Sequence, residues 1–556
     1  MKKIFISFVA FAAASVLMSG CSNDESTATT TTTNDQLTAF TGGVVTEVPM
    51  ERVQIGTSDS STVVPGITTR TSMNRTSIGG QGAFLWEPND VIYVKDDNNN
   101  LCKSQNTINK SAPRTTFLVD GSYTGKNQYD VYYCGTNSSV GEKKVVIADK
   151  QTQVAFNNTK HFGAAGDCGV AKATKTTVSG KSGYRFDLEH KASYLCFLPY
   201  MAPQWDRTNL KLKSIEITSK DDNISGTYDL GQTGLSGTGN SKTITLNVGT
   251  DGNGLELADQ ATATKSIKNS LYVVIAPGTH ALKVKYTVSD TKNTVMTITK
   301  SYKSRRFDAN EICDIPVDLG VRHYSGHNYY MWDARENYWS GHEWDAADPW
   351  QTTVKNIFHD GAPHPGDSSR WANYSINPDT IPFEASVNPL FKELPNANEM
   401  AWYVLKGDAH WDDSTWWEVF GDLHTGGIWL KKLSVIAQEN GKEPAELKLI
   451  DPLGIDLCAK DHTRRYEFFP TSGKPKNSEI GKYFFLPALG RYYDGYFYNL
   501  GSRGFYWSST ALSKVFSYSL RFDSACVVLL GINKLNVRKY GHVAQPFEKS
   551  PPIVLF

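Results

Sequence analysis

The sequence predicts a mainly-β chain in which two sandwich-like units are followed by a third unit that mixes helices and strands. Apolar and polar residues alternate strictly in 210–217 and 243–247, a pattern typical of strands with one buried and one solvated face. No apolar stripe with the helical period is convincing between residues 40 and 320. Eleven of the 13 tryptophans follow residue 320, and this change in composition predicts the start of the third unit.

The length, charge and cysteine count of the chain limit the classes of function that it can have. A chain of 556 residues exceeds what one hydrophobic core supports, so three folded units are expected. Lys+Arg and Asp+Glu are equal at 57 each, and a chain without net charge has no basic field for nucleic acid and no acidic field for cationic partners. The 8 cysteines form no C-x-x-C pair, which excludes a zinc ribbon and a thioredoxin-type motif. We expect most of them to be small buried apolar side chains.

The first 21 residues have the pattern of a targeting segment. Two lysines precede the apolar run Ile4–Leu17, which is too short for a comfortable transmembrane span. The segment Leu17–Cys21 then resembles a lipobox, which implies cleavage of the signal peptide 1–20 and acylation of Cys21. Two or more acyl chains would hold the chain stably in a membrane. Residues 21–39 are predicted to be a Thr/Ser-rich tether, because they offer almost nothing to bury.

Three segments carry a family resemblance. The first joins Thr69-Arg70-Thr71 to WEPNDVIYV at 86–94, the second is FDLEHKASYLCF at 186–197, and the third is YVVIAPGTHALKVKYTV at 272–288. In this order they resemble the fimbrillin family, the pilus subunits and accessory lipoproteins of Gram-negative anaerobes. The resemblance implies two fimbrillin-type β-sandwich domains, which we place at 40–203 and 204–320.

The same resemblance implies a route of assembly with other fimbrial subunits. Subunits of this family associate by strand addition, in which an extended segment supplies backbone hydrogen bonds to an open sheet edge. An N-terminal segment is removed after an arginine to open that edge, and Arg70 and Arg75 are the candidates here. Because a whole further domain follows the fimbrillin-like part, we expect a pilus-tip or accessory position rather than a shaft position.

Residues 321–556 are predicted to form an α+β domain. An apolar run capped by Asn396 and ended at Gly407 predicts one helix, and the apolar residues from Ile428 to Ile436 predict a second helix that ends near Gly441. The stretch 484–510, FFLPALGRYYDGYFYNLGSRGFYWSST, predicts short strands and tight turns. It resembles the LPA-G-Y and G-YYWSSS segments of the Fibrobacter succinogenes major paralogous (FISUMP) domain, a C-type-lectin-like module.

This second resemblance places a ligand-binding face on the loops and last antiparallel strands. If Leu520 and Phe522 point inward, their neighbours Ser519, Arg521 and Asp523 point outward. Exposed Tyr, Arg and Trp side chains are the types that anchor interfaces. The competing interpretation is that each tyrosine is half-buried and packs within the domain. The candidate ligand-binding residues are Tyr492, Tyr493, Tyr496, Arg503, Trp507, Tyr518, Arg521, Asp523, Asn533, Asn536, Arg538 and Tyr540.

No motif in the sequence predicts an enzyme. The patterns G-x-S-x-G and H-E-x-x-H do not occur. Formylglycine-generating enzymes share the lectin-like fold and depend on a reactive cysteine pair, but Cys526 lies in an apolar strand that disfavours its thiolate. The His/Asp-rich patch around His342 matches no closed tetrahedral zinc site. We therefore expect no catalysis, no cofactor and no metal.

Two functions fit these expectations. The first is a non-enzymatic surface lipoprotein that acts as a pilus-tip or accessory fimbrial adhesin and presents its lectin-like domain to a host, bacterial or glycan ligand. The second is a cell-surface glycan-binding lipoprotein of a polysaccharide-uptake system. Both place the chain at the cell outer membrane, lipid-anchored and exposed at the surface, and the first also places it in a fimbrium.

Overall fold

The computed structural model describes residues 37–43, 52–54, 72–79, 82–105, 108–137, 143–178, 180–201, 210–259, 267–375, 384–459, 465–530 and 537–548. The signal peptide, Cys21 and Arg70 lie outside these ranges. The chain is mainly β, with 45% strand and 9% helix, which confirms the predicted class. No helix within these ranges is long and apolar enough to cross a membrane.

The part of the chain up to Asp318 is built almost entirely from strands. Its one described α-helix is α1, Phe162–Ala165, and short 3-10 helices lie at Thr250–Gly252 and Ile267–Asn269. The strands are β1 Leu37–Gly43, β2 Arg52–Gln54, β3 Ser72–Arg75, β4 Gly82–Leu85, β5 Tyr93–Lys95, β6 Leu101–Lys103, β7 Arg114–Asp120, β8 Gln128–Tyr133, β9 Lys144–Ile147, β10 Lys150–Gln153, β11 Gly169–Val178, β12 Lys181–Phe186, β13 Glu189–His190, β14 Ser193–Met201, β15 Lys211–Ser219, β16 Gly226–Gly231, β17 Gly234–Ser236, β18 Thr243–Val248, β19 Leu255–Glu256, β20 Ala258–Asp259, β21 Leu271–Ile275, β22 Gly278–Ser289, β23 Val295–Phe307 and β24 Ile312–Asp318.

The first unit is organised around an eight-stranded sheet. Its strand order is β6-β5-β8-β11-β12-β1-β7, and β13 pairs with β11. Strand β1 therefore lies inside the sheet, parallel to β12 on one side and antiparallel to β7 on the other. One face of the sheet buries a core of aromatic side chains that includes Trp86, Phe117 and Tyr184.

The second unit contains sheets with the strand orders β10-β18-β15-β22-β23, β2-β24-β14-β20 and β17-β16-β9. Strands β9, β10 and β14 precede residue 203, yet they pair with β16, β18 and β24, which follow it. The two units therefore do not divide at residue 203, where the sequence analysis placed their border. Pairing between distant strands sets the division, and such pairing leaves no mark in local composition.

The third unit adds the remaining strands, three described α-helices and the 3-10 helices Glu446–Lys448 and Ile480–Lys482. The helices are α2 Pro389–Lys392, α3 Ala397–Lys406 and α4 Leu433–Glu439. The strands are β25 Arg322–Tyr324, β26 Tyr329–Tyr330, β27 His410–Asp412, β28 Trp417–Val419, β29 Asp422–His424, β30 Gly427–Lys431, β31 Tyr466–Phe468, β32 Thr471–Ser472, β33 Tyr483–Pro487, β34 Arg491–Tyr493, β35 Tyr496–Tyr498, β36 Gly504–Ala511, β37 Ser517–Phe522, β38 Val527–Leu530 and β39 His542–Val543.

A six-stranded sheet dominates the third unit, with the order β26-β39-β36-β37-β38-β31. Smaller sheets have the orders β32-β27-β30-β33 and β25-β28-β29, and β34 pairs with β35 as a separate hairpin. The short strands and tight turns predicted for 484–510 are present as β33 to β36.

Helix α3 begins and ends where the sequence predicts. The Asn396 side chain accepts a hydrogen bond from the Glu399 backbone N–H, and the Glu399 carboxylate accepts one from the Asn396 N–H, which forms a capping box. The second predicted helix is wrong at its start, because Ile428 lies in strand β30 and α4 begins only at Leu433. Pairing of β30 with both β27 and β33 overrides the local helical spacing.

The third unit is docked against one turn of the second. Leu423 belongs to the hydrophobic core cluster of the preceding sandwiches. Its backbone N–H donates to Asp290 Oδ2 at 3.0 Å, and Lys292 pairs with Asp422 at 2.5 Å. The turn between β22 and β23 therefore holds the third unit by a hydrogen bond and an ion pair, and Leu423 adds apolar contact with the core of the sandwiches.

Candidate functional site

Half of the predicted ligand-binding side chains lie in the core of the third unit. Trp507, for example, stacks on His542 with ring centroids 4.1 Å apart, and its Nε1–H donates to Tyr330 O at 2.8 Å. The prediction that these six residues are exposed is wrong, because their side chains pack inside the unit. They are Tyr492, Trp507, Tyr518 and Arg538, each 0% exposed, and Asp523 and Tyr540, each 8% exposed.

Strand β37 shows why the prediction of outward-facing residues failed. It pairs with β36 on one side and β38 on the other, and five of its six residues are buried, so neither face is wet. Ser519 is 0% exposed, although it was expected to point outward with Arg521. A strand that is covered on both faces does not follow the rule of one buried and one solvated face.

Arg521 and Asp523 form part of a compact polar cluster at the end of β37. Asp523 Oδ1 accepts the backbone N–H groups of Ala525 and Cys526 at 3.0 Å each, and Arg521 Nη2 donates to Cys526 Sγ at 2.9 Å. Burial alone would raise the pKa of Asp523, but these N–H donors and the nearby Arg521 and Arg503 outweigh it and lower that pKa. The cluster stabilises the turn after β37.

Arg538 is a packing residue despite its charge. Its Nη1 donates to Asn373 O at 2.7 Å, and its guanidinium carbon lies 4.4 Å from the ring centroid of Trp332. Burial lowers the pKa of Arg538 to about 10. The cation–π contact and the carbonyl acceptor therefore fix the last strands of the unit.

Four predicted residues remain within reach of solvent, and one of them is Arg521, whose side chain is 16% exposed. Tyr496 is 37% exposed, and the Arg503 side chain is 46% exposed while its Nε donates to Asp523 Oδ2 at 3.0 Å. Tyr493 is half-buried against Tyr540, with ring centroids 4.7 Å apart. Asn533 and Asn536 lie outside the described residues.

Tyr496 belongs to a patch that we call the aromatic surface. The patch consists of Val354, Ile357, Phe358, Tyr496 and Tyr498. Val354 is 55% exposed, and Ile357 and Phe358 are each 52% exposed. The ring of Phe358 lies 5.0 Å from that of Tyr496, which lies 6.0 Å from that of Tyr498. Apolar side chains exposed together in this way make this surface a candidate site of interaction.

Backbone contacts hold the aromatic surface in place. The N–H of Asn356 donates to Phe497 O at 2.9 Å, and the N–H of His359 donates to Gly495 O at 3.2 Å. Gly495 has φ +80°, and a Cβ there would lie 2.3 Å from the carbonyl oxygen of His359. The loop therefore needs a glycine in the hairpin beneath it. No sequence pattern predicts Val354, Ile357 and Phe358 as site residues, because they lie in a loop without regular apolar spacing.

The His/Asp-rich patch joins the aromatic surface in the chain, because His359 directly follows Phe358. The ring of Trp350 stacks with those of His342 and His359, at centroid distances of 3.3 and 5.6 Å, and its Nε1–H donates to Asp348 Oδ2 at 3.2 Å. His327 Nε2 lies 2.7 Å from Asp345 Oδ1. Across the described ranges, no group of three or more His, Cys, Asp or Glu side chains is arranged to hold a metal ion.

The second candidate site is the position of β1, which we call the strand slot and define as the space between β7 and β12. All seven residues of Leu37–Gly43 have partners in β7, and three have partners in β12. Phe40 is 0% exposed, and its ring centroid lies 5.0 Å from those of Tyr123 and Tyr184. One segment near the start of the described chain thus completes the interior of a sheet.

The two arginines predicted as maturation sites follow β1 in the chain. Arg75 donates from Nη1 and Nη2 to the two carboxylate oxygens of Asp314 at 2.6 Å each, and its side chain is 2% exposed. Burial acts to lower the pKa of Arg75, but the hydrogen bonds to Asp314 outweigh it and raise that pKa. A protease could not bind this buried side chain in the folded protein. Arg70 is therefore the better candidate for the cleavage site.

Comparisons with known proteins give only distant matches. No family model matches the chain, and no curated protein matches it. A candidate cell adhesion protein from Bacteroides uniformis is 17% identical, with a TM-score of 0.26 over 42% of this chain and 88% of that one. One from Bacteroides fragilis is 12% identical, with a TM-score of 0.27 over 51% and 93%. A fimbrial protein from Bacteroides ovatus is 10% identical, with a TM-score of 0.22 over 82% and 96%. Because these TM-scores are too low to establish a common fold, the function proposed below rests on the residues of this chain.

Proposed function

We propose that the chain is a non-enzymatic adhesin of the bacterial surface that joins fimbrial subunits by strand addition and presents its third unit to a ligand. The observation that carries this proposal is the strand slot. Strand β1 fills it and precedes Arg70, so cleavage after Arg70 would separate β1 and β2 from the rest of the fold.

Removal of β1 would leave a gap that another chain can fill. The facing edges of β7 and β12 would lose their hydrogen-bond partners together, and the rings around Phe40 would face water. Both losses favour a new strand in the same place, because unpaired strand edges and exposed aromatic rings are costly. Removal of β2, which pairs with residues 312–314 of β24, would open a second edge.

The aromatic surface is the part of the third unit that we propose binds the ligand. It replaces the buried residues of the predicted ligand-binding face and keeps Tyr496 from that prediction. Large side chains that are half exposed and held by a fixed backbone need little ordering when they bind, and such residues become interface hot spots.

We expect a chain with Phe358→Ala and Tyr496→Ala to lose about 2 kcal/mol or more of ligand-binding free energy. The full chain would first be applied to glycan and protein arrays, and the affinity of its best ligand would be measured by calorimetry. The control is Phe469→Ala, because Phe469 is 76% exposed next to strand β31 and is not one of the residues of the aromatic surface. The proposed binding role would be contradicted if the double variant and the unaltered chain bound the ligand with equal affinity. It would also be contradicted if neither array gave a ligand.

We propose a tip or accessory position in the pilus, because the third unit follows the fimbrillin-like part. Intact pili isolated with tagged chain should contain far fewer copies of it than of the shaft subunit. Quantitative mass spectrometry of the isolated pili measures this ratio. One copy per shaft subunit would show that the chain is itself a shaft component.

The same proposal includes lipid anchoring at Cys21. We therefore expect a Cys21→Ser variant to be lost from the membrane fraction.

A glycan-binding role in polysaccharide uptake is the second candidate. The faces of Phe358 and Tyr496 favour it, because aromatic rings at a surface can stack on sugar rings. The neighbouring genes separate the two functions, since a fimbrial operon supports the adhesin and a polysaccharide-utilisation operon supports uptake.

A further inference from the structure

We propose that the strand slot selects its occupant by a side-chain code, a large aromatic residue followed two positions later by glycine. The inference rests on the proposed assembly by strand addition and names the kind of segment that can enter. In the chain itself, Phe40 and Gly42 fill these two positions.

The first position of the code is an aromatic pocket. The Phe40 ring stacks on Tyr184 with an interplanar angle of 18° and meets Tyr123 edge-on at 76°. The hydroxyl of Tyr184 donates to the backbone oxygen of Tyr123 at 2.6 Å, and Tyr129 packs edge-on against both rings at 5.1 Å. The walls of the pocket therefore hold one another in place. A small residue would leave a cavity there, and a polar one would be buried without a partner.

The second position admits no side chain. A Cβ on residue 42 would lie 2.6 Å from Phe186 Cζ and 3.1 Å from Trp86 Cζ2. Both rings are buried, with Trp86 1% and Phe186 2% exposed, and Trp86 is also packed edge-on against Phe117 at 4.8 Å. Neither ring can withdraw without disturbing this core. Glycine is therefore required for close approach of the strand.

The residue between them is not part of the code. Thr41 alternates to the other face of the strand, where its hydroxyl shares a hydrogen bond of 2.9 Å with the hydroxyl of Thr116. The register adds a direction, because the occupant must run antiparallel to β7 and parallel to β12. The slot thus fits an extended segment of seven residues with an aromatic side chain and a glycine at spacing i, i+2.

Labelled peptides that span residues 36–44 test the code in trans. The peptides are added to two host proteins, each of which offers the strand slot. One host is the full chain with Gly42→Val, in which β1 is predicted to fit the slot poorly. The other host is the unaltered full chain after cleavage by an arginine-specific protease. Peptides with the natural sequence and with Thr41→Ser should bind equally to both hosts. Peptides with Phe40→Ser or Gly42→Val should bind about 30-fold more weakly or worse. Fluorescence anisotropy gives the affinities, and circular dichroism shows that each host is folded.

The outcomes separate the code from the assembly route. If all four peptides bind a folded host with the same affinity, the slot accepts strands without regard to side chain and the code is overturned, while strand addition survives. If no peptide binds either folded host, strand addition fails and the code fails with it. Hydrogen–deuterium exchange of β7 in the Gly42→Val chain is the second readout, and unchanged protection there would also contradict a requirement for glycine.

Discussion

Replacement of Arg75 by methionine should lower the free energy of unfolding by about 3–5 kcal/mol. Arg75 and Asp314 pair through two hydrogen bonds of 2.6 Å, and their side chains are 2% and 3% exposed. Without the guanidinium, Asp314 would keep a buried charge, although it would still accept a hydrogen bond from the N–H of Gly79 at 2.9 Å. An uncompensated buried carboxylate is far more costly than the net value of the ion pair.

Two further chains separate this effect from a general loss of packing. The double variant Arg75→Met with Asp314→Leu removes both charges and should recover most of the lost stability. Lys144→Met breaks the pair between Lys144 and Asp229, whose side chains are 34% and 58% exposed, and should cost less than about 1 kcal/mol. Urea unfolding of the full chain, followed by far-ultraviolet circular dichroism, measures all of them. An unchanged midpoint for Arg75→Met would contradict the ion pair as a stabilising element.

The same ion pair bears on the proposed maturation. Strand β3 ends at Arg75 and would lie close to the new N-terminus after cleavage behind Arg70. Its link to Asp314 in β24 and the bond from Gly79 would keep this end of the chain bound to the second unit. The segment before Arg70 could then leave while the segment after it stays in place.

Local signals in the sequence predicted the local structure correctly. Asn396, Glu399 and Gly407 are sufficient to place helix α3, because its caps are made within the helix itself. The mainly-β class followed in the same way from alternating strands and glycine-rich turns. These features depend on neighbours within a few residues, and a single sequence contains that information.

Features that depend on distant parts of the chain were not predictable. Tyr518 and Trp507 are of residue types that are common in binding faces. Neighbouring strands and covering segments nevertheless bury both side chains. Phe358 is exposed because its loop is seated on a hairpin that follows more than 130 residues later. Burial on both faces of a sheet and the position of a loop on a hairpin follow from the topology, and no local pattern of residues encodes them.

A disulfide across the strand slot should abolish strand entry. Ala39 of β1 and Leu118 of β7 are directly opposite partners in the antiparallel ladder, and both side chains are half-buried. Cysteines at both positions would tie β1 into the slot when oxidised and release it when reduced. Cys102, the one partly exposed cysteine among those in the described ranges, is replaced by serine in every chain, and Ala39→Cys alone is the control.

Binding of the labelled 36–44 peptide to these chains after arginine-specific cleavage tests the central claim that β1 is exchangeable. The account predicts that the oxidised Ala39→Cys/Leu118→Cys chain binds no peptide, and that reductant restores binding to the level of the single-cysteine control. Peptide binding to the oxidised chain as strong as to the control would contradict the strand slot as the site of assembly.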